Sequence, residues 1–431
     1  METAKRQIQV HKHDAISNAD PDTPCADPEL DQSRSRERED AEEVANSDSE
    51  PEGDTEAAGE SALDLNYDAI KHIASYYLPG GHGKCLSVQP LAEGTFHEVK
   101  ALEFEDGWSC IGRFSLDSGK QLSVTESEHA TLSYVKKHTN IPVPEVYFVN
   151  SNPDHAVNAG FMLQERMRGE RLSDIWESMS EDHKLSAVEQ VAGILLKLGS
   201  LHFDVIGSLK DGGVVGMLQN PTISEKALPR GPYASLEDYM FSFLAEDSNR
   251  PEEVMELYPS IKAELRPCLE NDHGSHLKAP FRLIHGDFDS QNMLFAYDDK
   301  TKPPQLTAVI DWDNSFTGPA YYLYEYPIFI QDNDLEPESY ALNKKLRKHF
   351  VATLIKRCEN DSPEREVIWE SFRQKSFWLN AFRNTFTFHT WSPVRLEQTV
   401  VRQYLMGLQD GGEPAYGGRD DYEPDSEFER D

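Results

Sequence analysis

The sequence predicts an α+β protein with a small β-rich lobe, a larger helical lobe after it, a cleft between the two and a disordered acidic tail at each end. Three observations predict it. Between about 62 and 165, short β-branched and aromatic runs alternate with turn signals. From 170 onward, apolar residues recur at helical spacing. Residues 1–60 carry 6 basic and 18 acidic residues, residues 409–431 carry 2 and 9, and neither stretch has much to bury. The expected extents are 61–168 for the first lobe and 169–408 for the second, with a hinge near 165–169.

A helix near 63–77 leads in, with Ile70, Ile73, Ala74 and Tyr77 on one side. Strands follow at 86–91, 96–104 and 108–116, and Asp106-Gly107 between the last two is a hairpin signal. A helix over 122–138 comes next, then Pro142-Val143-Pro144, then strands at 146–149 and 160–166. Periodic apolar positions mark helices at 188–201, 236–246 and 252–269. A strand pair around 283–311 interrupts them, and helices resume from about 336 to 408. No internal repeat is present.

The 431 residues include 42 basic and 76 acidic ones, a net charge of −34, over half of it in the two tails. So acidic a chain is a poor partner for nucleic acid or an anionic membrane. It would attract a cationic small substrate, although a solvated acidic surface explains the same number. The tails are candidate docking segments for protein partners. The cysteines (Cys25, Cys85, Cys110, Cys268, Cys358) are odd in number and widely spaced, which fits a reducing compartment and neither a zinc site nor a disulfide framework. The first residues do not resemble a signal peptide, and no apolar run is long enough to span a membrane. The cytoplasm is the expected location. Oligomeric state is not set by the sequence.

The most informative segment is His285-Gly286-Asp287-Phe288-Asp289-Ser290-Gln291-Asn292, with Ile310-Asp311-Trp312-Asp313 after a short insert. Apolar runs flank both, so each carboxylate should leave a strand near one edge. Asp287 is the candidate to accept a proton from an attacking hydroxyl; Asn292 and Asp311 are the candidates to hold Mg²⁺ against the phosphates of ATP. A lone Asp before an apolar run is usually a turn residue or cap. Three polar residues at fixed spacing are more specific. His285, among apolar neighbours, is better placed as a scaffold residue than as a base. Asp313 is a candidate to orient the metal ligand. Asp289 is ambiguous.

Weaker signals lie upstream. Gly94-Thr95 falls between the first two strands, where glycine lets backbone N–H groups approach a phosphate. Arg113 is a charged residue inside an apolar strand. It faces either solvent or the cleft, and in the cleft it would bind phosphate bidentately, fixed by Glu128 or by its competitor Glu126. At the lobe crossover, the Glu165 carbonyl and the Met167 N–H are the candidate adenine partners.

These motifs resemble those of the aminoglycoside phosphotransferase and choline kinase superfamily, and most closely the fungal phosphotransferase-enzyme-family type. Gly94-Thr95-Phe96, Ile111-Gly112-Arg113, Ile141-Pro142-Val143-Pro144, Gly318-Pro319 and Tyr326-Pro327 extend the resemblance over about 65–400. It implies a protein-kinase-like two-lobed fold. It implies Asp287 as catalytic base or hydroxyl-orienting group, Asn292 and Asp311 as Mg²⁺ ligands, and Arg113 in the strand-three lysine position with Glu128 as its helix partner. Three departures stand out. Arg replaces Lys at 113, Asp289 takes the place of a lysine that contacts the transferred phosphate in protein kinases, and residues 297–304 insert a surface hairpin loop.

The expected activity is ATP- and Mg²⁺-dependent phosphoryl transfer to the hydroxyl of a small molecule, seated against residues 320–400. The aromatics there (Tyr321, Tyr322, Tyr324, Trp369, Trp378, Phe382, Trp391) should mostly pack the core. The alternative is a non-catalytic kinase-like module acting through nucleotide or protein binding. Retention of Asp287, Asn292 and Asp311 favours the enzyme. A protein kinase is disfavoured by Gly286 in place of the usual arginine and by the lack of an activation segment after Asp311.

Overall fold

A computed structural model describes residues 63–387, apart from residue 95 and short stretches at 117–121, 220–229, 246–251, 271–273, 299, 333–336 and 359–361, together with four residues between 404 and 408. The acidic stretches, Thr95 and Trp391 lie outside the described residues, which belong to one compact unit.

The chain begins with α1 (Tyr67–Tyr77), β1 (Cys85–Glu93), β2 (His97–Phe104), β3 (Ser109–Ser115), α2 (Leu122–His138), β4 (Val146–Asn150) and β5 (Phe161–Glu165). The five strands form an antiparallel sheet in the order β1-β2-β3-β5-β4. The β2–β3 turn has three residues rather than two. Phe104 and Trp108 pair across it, Asp106 Oδ1 accepts from the Trp108 N–H at 2.9 Å, and Gly107 takes the left-handed conformation at φ +82°.

Period-two alternation divides the sheet between two cores. Phe114, Phe161 and Leu163 join α1 residues Ile70 and Ile73 on one face. Met162 joins Ala130, Leu132 and Val135 of α2 in the larger core that also holds the helices. Arg113 pairs with Met162 in the β3–β5 register, so its side chain starts on that second face. Packing is thus continuous across residues 165–169.

Next come β6 (Glu170–Arg171), α3 (Leu172–Ile175), α4 (Glu181–Gly199), β7 (His202–Phe203), β8 (Ser208–Lys210), β9 (Val214–Gly216), α5 (Leu236–Ser242), α6 (Glu252–Met255) and α7 (Tyr258–Glu270). Ser180 caps α4, its hydroxyl accepting from the His183 N–H at 3.3 Å, with Glu181 and Asp182 in the first turn and Lys197 in the last. Val188, Val191, Ile194, Leu195 and Leu198 form its buried face, the 3.6-residue period expected from the sequence.

The last part holds β10 (Phe281–Ile284), β11 (Met293–Ala296), β12 (Gln305–Val309), β13 (Phe316–Gly318), α8 (Ala320–Leu323), α9 (Tyr340–Arg357), α10 (Pro363–Ser371) and α11 (Gln374–Thr387). The strands that carry the two motifs are not neighbours. β10 sits between β13 and β7, whereas β12 pairs with β11, which also pairs with β6. The insert joins β11 to β12. Its middle is exposed, but Tyr297 at its start is buried, with its hydroxyl 2.9 Å from His183 Nδ1.

Two buried arginines pin the segment after β13. Arg282 Nη2 lies 2.6 Å from Glu364 Oε2, and the Tyr324 hydroxyl donates to the other oxygen of Glu364 at 2.7 Å. Arg347 forks onto Asp332 at 3.0 and 2.9 Å and donates to the Ile330 carbonyl at 2.7 Å, which ties the 328–332 loop to α9. Arg347→Ala would leave Asp332 as a buried, unpaired charge. We expect it to lower unfolding free energy in urea by about 3–5 kcal/mol; a loss under about 1 kcal/mol would show that the fork does not hold the loop.

Candidate active site

Asp287 leaves the end of β10 with its side chain exposed. Its Oδ2 accepts from Gln291 Nε2 at 3.0 Å and from Asn292 Nδ2 at 2.9 Å; that Asn292 nitrogen also donates to the Asp287 carbonyl at 2.9 Å. With the Asn292 amide hydrogens directed at Asp287, its oxygen is the atom available to a cation. The five-residue spacing is therefore a closed loop in which Asn292 orients Asp287.

His285 joins the two motifs. Its Nδ1 accepts from the Asp287 N–H at 3.1 Å, and its Nε2 lies 3.0 Å from the Ile310 carbonyl. Each ring nitrogen has one role only if the imidazole is neutral. Burial pushes the His285 pKa down, and the Ile310 carbonyl and nearby carboxylates only partly offset it. The Ile310 N–H also donates to the Asn292 carbonyl at 2.9 Å. His285 holds the end of β12 beside the end of β10, as a scaffold residue would.

Gly286 is required by this joint. A Cβ there would lie 2.7 Å from the carbonyl oxygens of both Asp313 and Asn314. Beyond β12, Asp311 and Asn314 adopt φ of 61° and 59°, the left-handed region that non-glycine residues seldom occupy. Trp312 between them is buried, donating to the Val309 carbonyl at 3.0 Å and packing edge-on against His285.

Arg113 meets this turn from the sheet. It is 7% exposed, which excludes the solvent-facing alternative. Its Nη2 donates to Asp311 Oδ1 at 2.8 Å and to Asp313 Oδ2 at 2.9 Å, and its Nη1 lies 3.5 Å from Glu128 Oε1. His97 Nδ1 is 3.1 Å from the same Asp313 oxygen. Glu126 is instead bonded by the Ser151 hydroxyl at 2.9 Å, so Glu128 is the helix partner. Burial opposes the charge on Arg113, and Glu128, Asp313 and Asp311 together outweigh it. Burial raises Asp313 too, but Arg113 and His97 bring it well below the usual carboxylate range. One guanidinium cannot neutralise three acids. Glu128, the most buried and the farthest from it, is pushed well up by burial despite Arg113.

The donor set suits a hard cation. Glu128, Asp311 and Asp313 each offer an oxygen, all within 4.8 Å of one another. Glu128 Oε2 and Asp313 Oδ1 are buried with no hydrogen-bond partner. Asp311, one of the expected ligands, is a member of this group, and so is Asp313, which was expected only to orient a ligand; Asn292, the other expected ligand, is joined to the Asp311 turn through the Ile310 N–H.

The nucleotide candidates are more scattered. Gly94 is exposed in the β1–β2 turn, where a Cβ would meet the His97 carbonyl at an ordinary 3.6 Å. Its N–H already donates to that carbonyl at 2.9 Å, so this amide is not free for a phosphate. Glu165 ends β5, its carboxylate accepting from the Glu145 N–H at 3.2 Å, and Met167 is half-buried in the connector to β6. Asp289 is half-buried, its carboxyl raised by burial.

His97 was not among the expected site residues. His97 gave no signal, because its role depends on register: it opens β2 opposite Ser115, two positions beyond Arg113. A cavity of about 400 Å³ opens beside Asp287; it is walled largely by the segment after β13, within the 320–400 region expected to seat the acceptor, and by residues 284–288, with Leu195 and Leu198 of α4.

The model of the phosphotransferase enzyme family matches residues 87–322. A subtelomeric hrmA-associated cluster protein of Aspergillus fumigatus is 32% identical over 126 residues, 29% of this chain and 25% of that one. Altered inheritance of mitochondria protein 9, mitochondrial, of Zygosaccharomyces rouxii is 30% identical over 142 residues, 30% of this chain and 23% of that one. The chain thus spans about a quarter of the length of these relatives. An ethanolamine kinase structure from Plasmodium vivax covers 78% of this chain and 87% of its own at 11% identity and TM-score 0.42, a similarity too slight to carry argument. The expected cytoplasmic location does not stand, since relatives in Zygosaccharomyces rouxii, Lodderomyces elongisporus and Candida tropicalis are named as mitochondrial proteins. Unpaired cysteines separate reducing from oxidising compartments; they do not tell one reducing compartment from another.

Glu128 yields a pH prediction. Its folded pKa is raised, so the folded chain keeps a proton above the ordinary value of 4.5 where the unfolded chain releases it. Stability from this group therefore declines as pH rises from 4.5. In Glu128→Gln that decline is absent, so urea midpoints should show the variant gaining on the wild type between 4.5 and neutrality. A difference that stays flat or reverses would mean that Glu128 is ionised.

Proposed function

Because this chain belongs to the phosphotransferase enzyme family, we propose that it transfers the γ-phosphoryl group of ATP, with Mg²⁺, to a hydroxyl of a small molecule. The observation that carries this is the exposed Asp287 at the edge of a cavity of about 400 Å³, held by Gln291 and Asn292 beside the turn that carries Asp311. Asp287 orients the acceptor hydroxyl and takes its proton as the oxygen attacks the phosphorus and the bond to ADP breaks. Asn292 and Asp311 hold the divalent ion, with Asp313 and Glu128 close by. That ion, when bound, neutralises charge on the phosphates. Arg113 keeps Asp311 and Asp313 in place through two short hydrogen bonds and is a positioning residue, with less support as a direct phosphate ligand. Gly94, Thr95, Glu165 and Met167 remain proposed nucleotide contacts. The names of the relatives make the mitochondrion the proposed compartment.

One observation favours a non-catalytic module: a cation, the Arg113 guanidinium, already occupies the acid cluster. ADP release from ATP and Mg²⁺ across a panel of hydroxylated metabolites separates the two. Asp287→Asn should lower kcat by about 10²–10⁴-fold with nucleotide affinity retained, and unchanged turnover would remove Asp287 from the mechanism. Asp311→Asn should abolish the thermal stabilisation that ATP gives only with Mg²⁺. If the wild type shows no such stabilisation, the catalytic reading fails.

A further inference from the structure

The cavity beside Asp287 has a composition that selects an acceptor. Its apolar wall comes from three parts of the chain: Leu195 and Leu198 of α4, Ile284 and Phe288 around the catalytic loop, and Tyr322 and Ile328 after β13. Its volume, about 400 Å³, is towards the small end of ligand pockets. The polar groups are few: Asp287, Glu325, Gln331, Asn384 and the His285–Gly286 segment. Among the described residues, no lysine or arginine lines it.

Glu325 has no assigned role in the phosphotransfer reading. It is half-buried, and among the described residues no hydrogen bond or ion pair holds its carboxylate. Burial raises it to about 7, and Arg383 offsets only part of that. Arg383 is engaged elsewhere: it lies over the Tyr322 ring at 3.7 Å and donates to the Tyr239 hydroxyl at 2.8 Å. A carboxyl so placed gains most from a cation brought by a ligand.

We propose that this cavity takes a small alcohol with an apolar or aromatic body and a single amine, the ammonium at Glu325 and the hydroxyl at Asp287; this rests on the phosphotransfer reading. The walls offer hydrophobic burial to the body and one anion to the amine. A phosphorylated or carboxylated acceptor would meet two acids and no lining cation. A polycationic, polyhydroxylated sugar would leave most of its polar groups against apolar walls.

The test is calorimetric binding to the full chain. The ligands are phenylethanolamine, a homologue with a longer amine arm, the deaminated alcohol phenylethanol, mandelate, and kanamycin as a polycationic sugar. At least one amino alcohol should bind about tenfold or more tighter than phenylethanol, with mandelate and kanamycin weaker still. Glu325→Gln should remove that advantage and leave phenylethanol binding unchanged. Equal binding of amino alcohol and phenylethanol, preference for mandelate or kanamycin, or no binding of either amino alcohol overturns the proposal. These comparisons use the unaltered chain and stand even if the variant fails to fold. Selective binding without phosphoryl transfer in the wild type would sink the phosphotransfer reading and not the pocket. Phosphoryl transfer to other hydroxyls without selective binding would sink the pocket alone.

Discussion

One guanidinium shared among three carboxylates joins the two halves of this fold. Arg113 starts on β3, in the antiparallel sheet, and ends between Asp311 and Asp313, almost two hundred residues later. Glu128 completes the ring from α2, and His97 from β2. A surface pair of this kind would contribute little. Here Arg113 and Asp313 are both nearly inaccessible, so removing either one would leave the other charged and dry. That penalty fixes how the sheet sits against the turn after β12.

The rest of the site follows from that turn. Its backbone lies on Gly286, which has no Cβ to keep it away. The Ile310 carbonyl meets His285, and His285 in turn receives the Asp287 N–H. Two strands from different small sheets are thereby brought together without pairing. The left-handed φ at Asp311 and Asn314 is a local cost that this packing sustains.

Much of this was legible in the sequence because it depends on local pattern. The helix over 122–138 has the expected bounds, and the strands of the five-stranded sheet fall within a few residues of expectation. The Asp287–Asn292 spacing was readable because its bonds close within five residues. His285 was legible as a scaffold because its neighbours are apolar. Quantities set by distant pairing were not legible. Whether Arg113 faced solvent or protein depended on which face of β3 the rest of the chain would cover. The choice between Glu126 and Glu128 depended on the rotation of α2. The place of Asp313 among the acids, the part of His97 and the Glu325 cavity arise only once strands from separate sheets meet.

A double-mutant cycle measures directly whether Arg113 and Asp313 are energetically coupled. Unfolding free energies of wild type, Arg113→Met, Asp313→Asn and the double variant are compared in urea. A coupling of about 1–3 kcal/mol is expected, with the double variant less unstable than the summed single losses. Losses that add to within about 0.5 kcal/mol would contradict it, since residues that add do not share an interaction.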